Sequence, residues 1–294
     1  IREAMDTSKP ENRLLPILSL LFTATLWGVI WYPLRLLAEQ GLAGLWSGLI
    51  SYGAVLSLFL WVPVRERASL QRNYLPFALM GLSAGWCNVA FIMAVLDGNV
   101  VRVLLLFYLS PFWAVCLGWF LLDERLDRQS MLVFAIAVAG ALVMLWDDSL
   151  GMPWPRDSAD WLAVSSGFSF SFSNVMVRRM GQVTLGTKAA VSWLGVVLVS
   201  ALWIAVSDLP WPEVSAATQA GAVALGWFGF VVMTLTVIYG VSHMPVHRSS
   251  VILLFELIVG AASSLLLTSE KVLPQEWVGG MLILVSAWLA AREQ

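Results

Sequence analysis

The stretch VVRVLLLFYLSPFWAVCLGWFLLDERLDRQ (residues 100–129) aligns without a gap with VHRSSVILLFELIVGAASSLLLTSEKVLPQ (residues 246–275) after a shift of 146 residues. Identical residues meet near the ends of the two stretches: Val100 with Val246, Arg102 with Arg248, Glu124 with Glu270, and Gln129 with Gln275. These matches fall at the ends of apolar runs and in charged turns. The alignment predicts an internal duplication of the chain.

The composition predicts a membrane protein. Charged residues make up 12% of the 294 residues, and hydrophobic residues make up 59%. A soluble domain carries about twice that share of charge. The mean hydropathy is +0.81, and apolar runs near or above about 18 residues recur, long enough to cross the bilayer core as helices. We therefore expect an all-α polytopic membrane protein.

Apolar runs between charged, proline and glycine breaks predict ten transmembrane helices. They are residues 14–37, 43–62, 74–96, 101–122, 130–146, 160–177, 189–207, 217–241, 249–268 and 275–291. The connections between them are short and leave no room for a soluble catalytic domain. With the duplication, they predict two five-helix repeats.

The predicted domains follow from these spans. We expect a cytoplasmic N-terminal segment at 1–13, in which 1–4 is a remnant of expression-vector sequence before Met5. The first five-helix repeat is expected at 14–146, a periplasmic linker at 147–159, and the second repeat at 160–294.

Positive charge in the loops predicts the orientation. Twelve basic residues share one side if both termini are cytoplasmic: Lys9, Arg13, Arg65, Arg67, Arg72, Arg125, Arg128, Arg178, Arg179, Lys188, Arg248 and Arg292. The opposite side receives four: Arg35, Arg102, Arg156 and Lys271. Because each repeat has an odd number of spans, the second repeat enters the membrane from the opposite side. Inverted repeats are typical of alternating-access transporters; the alternative is a duplicated scaffold without transport.

The segment LSPFWAVCLGWFLLDERLDRQSMLVFAIAVAGALVML (109–145) resembles a repeat signature of the drug/metabolite transporter superfamily. The matching features are Pro111, Gly118, the Leu121–Arg125 turn, Gln129 and Gly140. The Trp27–Gly28 pair is also similar to the opening of that family.

The second copy keeps Glu270, Lys271, Gln275 and the Gly279–Gly280 pair, but it has Leu257 in place of the proline. The resemblance covers essentially the whole chain and is to the ten-helix, duplicated EamA-type branch. The Trp- and Phe-rich first half looks most like the bacterial aromatic amino-acid exporters. The resemblance implies export of amino acids or related metabolites across the inner membrane by alternating access.

The first span contains several candidate substrate-binding residues. Trp27, Trp31 and Arg35 share one helical face, with Tyr32 on an adjacent stripe. Trp27 lies at mid-span and is expected to line a cavity, whereas Trp31 and Tyr32 either line it or anchor the membrane interface. Pro33 removes a backbone donor and is a candidate hinge. Arg35 is expected to reach water at the outer end.

Polar residues in the third and fourth spans must face a partner or a wet cavity. Asn88 follows Gly81 and Gly85 on one stripe, and it either binds substrate or ties two helices together. Tyr108 is a candidate substrate-binding residue. Pro111 is a candidate gate or a static kink.

The sixth span alternates serine and phenylalanine. Ser165, Ser169 and Ser173 align on one face, and Phe168 and Phe172 align beside it. Aromatic rings next to hydroxyl groups suit a ligand with an apolar body and polar ends. The binding candidates in this span are therefore Phe168, Ser169 and Phe172. The alternative is that the serines serve only close packing between helices.

Glu256 is the carboxylate at the centre of a predicted span, and it shares a face with Gly260 and Ser263. An intramembrane ionisable residue indicates a functional site by default. Glu256 could carry a coupling proton, receive an ammonium group, or pair with an arginine. Tyr239 is a further binding candidate.

Other function classes find little support. His243 and His247 lack a third metal ligand, and no nucleotide-binding glycine loop or paired-carboxylate motif appears. We therefore expect no enzyme activity, metal, cofactor or nucleic-acid partner, and a monomer that contacts the bilayer and a small-molecule substrate. The alternatives are export of drugs or other metabolites in the same fold, and an integral membrane enzyme. Proton coupling, facilitated diffusion and exchange all remain open.

Overall fold

The computed structural model describes residues 14–42, 44–59, 61–72, 74–98, 100–146, 154–267 and 273–292. These residues are helical throughout, apart from short connections. The helices are α1 (Leu14–Glu39), α2 (Gly44–Leu58), α3 (Trp61–Arg65), α4 (Arg67–Arg72), α5 (Tyr74–Asp97), α6 (Val100–Phe107), α7 (Ser110–Leu122), α8 (Arg128–Leu145), α9 (Ser158–Arg179), α10 (Leu185–Val206), α11 (Ala216–Ala224), α12 (Val231–His243), α13 (Val246–Leu253), α14 (Phe255–Leu267) and α15 (Pro274–Arg292). A π-helical segment, Leu225–Phe230, joins α11 to α12.

Seven helical stretches in the described part of the chain are long and apolar enough to cross a bilayer, so the chain is a multi-pass membrane protein. They are α1, α5, α6–α7, α8, α10, α11–α12 and α13–α14. α2 and the apolar part of α15 are shorter. α9 is rich in serine and ends in two arginines, which lowers its hydropathy.

All ten stretches predicted as spans contain helices. α2 ends at Leu58, four residues before the predicted end of the second span at 62, and two short helices, α3 and α4, follow in the basic connection. Several residues used in the predictions lie outside the described part of the chain: Lys9, Arg13, Glu270 and Lys271.

Helices from the first half of the sequence pack against helices from the second half. α1 packs against α12, α13 and α14, and α9 packs against α5, α6 and α7. α8 packs against α15, and α5 against α10. The first long helix of the N-terminal part of the chain (α1–α8) thus packs mainly against the C-terminal part (α9–α15). The first long helix of the C-terminal part, α9, packs mainly against the N-terminal part.

Glycines bring the packed helices into backbone contact. Gly195 of α10 lies against the Gly81 carbonyl group, and a Cβ atom on Gly85 would overlap Gly195. Gly140 of α8 and Gly279 of α15 meet in the same way. Gly81 and Gly85, which share a stripe with Asn88, thus allow α5 and α10 to approach closely.

Two membrane helices are interrupted at matching places. α6 and α7 are separated by Tyr108 and Leu109, and α13 and α14 by Leu254. The 146-residue shift places Tyr108 on Leu254. Pro111 explains the first interruption, because it cannot donate to the Phe107 carbonyl group. The second occurs without a proline.

The other proline singled out in the sequence behaves differently. Pro33 lies inside α1, which continues as a single helix from Leu14 to Glu39. The helix is therefore not broken there, and a hinge role for Pro33 stays a prediction.

We expect Gly195→Ala to lower the thermal stability of the protein. Its methyl group would overlap the Gly81 carbonyl oxygen, and overpacking of this kind costs about 1–3 kcal/mol. Thermal unfolding of the detergent-purified protein measures the change. Gly53→Ala in α2 is the matched control, because no atom lies within 4 Å of its added methyl group. Equal unfolding temperatures for the two variants would contradict the packing model.

Candidate functional site

Glu256 and Tyr108 meet where two membrane helices are interrupted. Tyr108 lies between α6 and α7, and Glu256 lies in the first turn of α14. The Tyr108 hydroxyl group and the Glu256 carboxyl group lie within interaction range of each other. The two elements come from distant parts of the chain. Their contact therefore places an ionisable group and a phenol at one point within the helix bundle.

Aromatic rings extend from this point to α1. The Trp27 ring lies 5.8 Å from the Phe170 ring of α9, with an edge-on orientation. Phe170 lies 5.8 Å from Phe107, which in turn lies 5.3 Å from Tyr108. Edge-on and tilted aromatic contacts at these distances are favourable. Trp27, Phe170, Phe107, Tyr108 and Glu256 therefore form one connected group, which we call the central group.

α1 is fixed against α14 beside the central group. A Cβ atom on Gly28 would lie 2.9 Å from the Glu256 carbonyl oxygen, so only glycine permits this approach. Ser263 Oγ donates to the Gly28 carbonyl oxygen at 2.8 Å and accepts from Trp31 Nε1 at 2.9 Å. The Trp31 side chain is thus hydrogen-bonded across the interface between α1 and α14, and its ring contacts the Tyr32 ring.

A second polar group lies between α2 and α5. The Tyr52 hydroxyl interacts with the Asn88 side chain and lies near Cys87. Asn88 Oδ1 is buried and has no hydrogen-bond partner among the described residues. The Tyr52 ring stacks on Phe230 at 4.5 Å, at the end of the π-helical segment. The uncommitted amide oxygen of Asn88 can accept a hydrogen bond from a ligand or from water.

The remaining candidates in α9 lie further from the central group. Phe168 is 39% exposed and contacts Trp113 and Phe172. Ser169 is buried in the bundle. The structure thus places Phe170 beside Trp27, while the predicted pair of Phe168 and Phe172 stacks at 6.1 Å.

The serine face of α9 packs against α5. Ser165 accepts a hydrogen bond from Trp86 Nε1 at 3.2 Å, and Ser173 donates to the Met80 carbonyl oxygen at 3.5 Å. For these two serines the packing alternative holds.

Tyr239 lies toward one end of α12. Its ring is 4.2 Å from the ring of His243, one turn further along the helix. No contact links Tyr239 to the central group among the described residues.

Sequence reasoning missed four aromatic residues: Phe107, Phe170, Tyr52 and Phe230. Phe170 belongs to the same alternation of serine and phenylalanine as Phe168. The sequence therefore shows an aromatic residue at this position, but it does not show which neighbouring helix the ring contacts. Tyr52 and Phe230 come together only because α2 packs on the π-helical segment, where Gly226 lies against the Ser51 carbonyl oxygen. The placement of Tyr52 one turn after Gly48, in a helix with no charged residue, was the available signal.

A buried ion pair joins the two parts of the chain at the end of the bundle expected to face the periplasm. Arg102 Nε donates to both carboxylate oxygens of Asp160, at 2.9 and 2.7 Å. The Trp154 carbonyl group accepts from the same guanidinium, and the Arg156 backbone N–H donates to Asp160 at 2.9 Å. Both charged side chains are more than nine-tenths buried.

A second ionic cluster joins the two parts at the opposite end. Glu124 accepts from Arg178 Nε at 3.3 Å and from the Val246 backbone N–H at 2.8 Å. Arg178 also donates to the Ser242 carbonyl oxygen at 2.7 Å. The ammonium group of the buried Lys188 donates to Ser242 Oγ at 2.9 Å. The central group thus lies between two polar clusters that each tie the N-terminal part to the C-terminal part.

Comparison with known proteins supplies a family and a fold. A model of the EamA-like transporter family matches residues 14–146 and 157–292. A solved crystal structure of another protein superposes with a TM-score of 0.70 at 20% identity, covering 92% of this chain and 94% of that one. At this identity the likeness shows the fold alone.

Curated relatives match in part. An uncharacterized transporter of Pseudomonas aeruginosa is 28% identical over 151 residues, which are 51% of this chain and 47% of the relative. Protein RarD of Salmonella typhimurium is 28% identical over 151 residues, or 51% of this chain and 48% of the relative. The chain spans about half the length of the curated relatives it matches.

We expect Arg102→Met to destabilise the protein strongly, because it leaves the buried Asp160 carboxylate without its charged partner. Loss of one partner of a buried pair costs about 3–5 kcal/mol. The double variant Arg102→Met/Asp160→Asn should recover part of this loss in thermal unfolding. Arg35→Met is the control, since the Arg35–Glu39 pair is more than half exposed and such pairs contribute about 1 kcal/mol or less. A loss no larger for Arg102→Met than for Arg35→Met would refute a stabilising role of the buried pair.

Proposed function

Because the chain belongs to the EamA-like transporter family, we propose that it is a secondary transporter that exports amino acids, aromatic ones included, or related small metabolites across the inner membrane by alternating access. The observation that carries this proposal is the central group. It combines one carboxyl group, one phenol and three further aromatic rings at the junction of interrupted helices. Interrupted helices form the binding sites of many secondary transporters.

We infer a ten-helix architecture of two inverted five-helix repeats. The family model matches the chain twice, at 14–146 and 157–292. The exchanged packing of α1 and α9 supports it, as do the interruptions 146 residues apart at Tyr108 and Leu254. In this arrangement α2, α9 and α15 complete the ten crossings.

The proposed orientation keeps both termini in the cytoplasm. It rests on the excess of basic residues at that end of the bundle. The Arg102–Asp160 pair then closes the periplasmic end, and the Glu124–Arg178 cluster closes the cytoplasmic end. Alternating access requires one of these clusters to separate while the other holds.

The chemistry of the central group suits an amine with an apolar body. Glu256 can pair with an ammonium group, and the Tyr108 hydroxyl group can donate a hydrogen bond to the ligand or accept one from it. Trp27, Phe170 and Phe107 offer ring faces and edges to an aromatic or aliphatic side chain. The first turns of α7 and α14 lie beside the group, and helix N-termini favour a carboxylate.

We expect Glu256→Gln to reduce transport of amino acids by about tenfold or more, because a charge-assisted hydrogen bond contributes about 1.5–3 kcal/mol. Uptake of a panel of labelled amino acids into proteoliposomes measures this, with and without a pH gradient. Glu39→Gln, at an exposed position, is the control and should transport like the wild type.

The panel also tests the proposed class of substrate. Absence of flux for every amino acid would refute amino-acid export, and flux of organic cations alone would favour drug export through the same carboxylate. Unchanged flux in Glu256→Gln at all pH values would exclude Glu256 as a proton carrier.

We expect Trp27→Ala and Phe170→Ala to weaken transport of aromatic substrates more than that of small ones. Each variant removes a ring that would contact the substrate side chain, and such aromatic contacts contribute about 0.5–1.5 kcal/mol beyond burial. The ratio of kcat/KM for phenylalanine and alanine measures the effect. Phe228→Ala, whose ring is 76% exposed, is the control. A ratio that is the same in all three variants would count against the aromatic wall.

A further inference from the structure

A polar cleft lies at the end of the bundle that carries most of the basic residues, away from the central group. It has a volume of about 630 Å³. Its walls come from the α7–α8 turn, the start of α13 and the last turn of α15. The lining residues are Arg125, Asp127, Gln129, Ser130, Pro245, His247, Arg248 and Arg292.

Positive charge dominates the cleft. Among the described residues that line the cleft, three arginines face one carboxylate, that of Asp127. Hydrogen bonds from the Ser130 backbone and side chain hold the pKa of the Asp127 carboxyl below its usual value, so Asp127 stays ionised. Even so, the three guanidinium groups leave a net positive charge. The carboxylate of the nearby Glu124 already accepts hydrogen bonds from the Arg178 side chain and from the Val246 backbone N–H.

Two of the three arginine side chains are placed where they can contact a ligand in the cleft. Arg292 lies 3.8 Å above the Trp288 ring, and Arg125 is exposed. Arg248 donates to the Ala290 carbonyl oxygen at 2.9 Å, which fixes its side chain at the edge of the cleft. Guanidinium groups bind phosphate oxygens in paired hydrogen bonds, and this makes an arginine cluster suited to a phosphate group.

An exposed apolar face of α15 borders the cleft. Trp288 is 53% exposed, and it shares α15 with the exposed residues Met281, Leu284 and Val285. An indole ring at such a position is typical of the membrane interface. A basic cleft between membrane helices, next to the lipid, has the character of a lipid headgroup site.

We propose that this cleft binds an anionic phosphate group, carried by a phospholipid of the adjoining leaflet. The phosphate contacts Arg125 and Arg292, and the acyl chains lie along α15 beside Trp288. The occupant bridges the α7–α8 turn, α13 and α15, so it ties the N-terminal part of the chain to the C-terminal part. The site takes no part in binding the transported substrate, and it stands whether or not the substrate is an amino acid.

The test uses the full chain in detergent with phosphatidylcholine as the background lipid. Phosphatidylglycerol, phosphatidylcholine of the same chain length, and inorganic phosphate are titrated separately, and thermal unfolding reports binding. We expect phosphatidylglycerol to raise the Tm by about 3 °C at saturating concentrations. Phosphatidylcholine should leave the Tm unchanged.

The double variant Arg125→Gln/Arg292→Gln should weaken the response to phosphatidylglycerol by about tenfold or more. Arg72→Gln/Arg179→Gln is the matched control, because it removes two exposed arginines outside the cleft and should respond like the wild type. Size-exclusion chromatography and the Tm in phosphatidylcholine alone check that each variant is folded.

The outcomes separate the sources of phosphate. A response to inorganic phosphate that matches phosphatidylglycerol, and is lost in the cleft variant, would overturn the lipid as occupant and identify a soluble phosphate. Equal responses to phosphatidylglycerol in the cleft variant and in the control variant would refute the site. So would a wild-type Tm that no anionic probe changes.

Discussion

The backbone of a membrane helix must satisfy its own hydrogen bonds, because lipid offers no partners. In this protein that constraint governs the interruption between α6 and α7. Pro111 leaves the Phe107 carbonyl group without its helical donor, and Gly167 of α9 packs directly against it. The neighbouring Ser110 carbonyl oxygen accepts a hydrogen bond from Ser171 Oγ at 2.6 Å. Pro111 thus creates the interruption, and α9 covers the carbonyl groups that it leaves exposed.

This dependence links the site to the packing of the whole bundle. Tyr108 can meet Glu256 because α6 ends at Phe107, and α6 can end there because α9 covers the exposed carbonyl groups. On the other side, Gly28 brings α1 against the Glu256 carbonyl oxygen. The exchanged helices α1 and α9 thus each support one of the two interrupted helices. A change in the position of either helix would alter the distance between the phenol and the carboxyl group.

The sequence predicts the helices well because apolar runs and charged breaks determine them locally. It also predicts Glu256, Tyr108 and Trp27 as candidates, since a polar or aromatic residue at mid-span is unusual wherever it points. It does not predict which phenylalanine of α9 faces α1. Residues two apart on a helix differ by about 200°, so Phe170 points away from the face that Phe168 and Phe172 share, and only packing against Trp27 selects Phe170. The π-helical segment that presents Phe230 to Tyr52 likewise requires a contact between distant segments.

The two ionic clusters constrain how the proposed cycle can proceed. Each joins the N-terminal part of the chain to the C-terminal part, and the central group lies between them. Separating a buried ion pair costs much free energy unless its charges find new partners. Either end of the bundle can therefore open only when water reaches the charged groups of its cluster. Opening both ends together would leave the interrupted helices without the packing that covers their carbonyl groups. The same interactions that build the central group therefore favour a cycle in which one end stays closed while the other is hydrated.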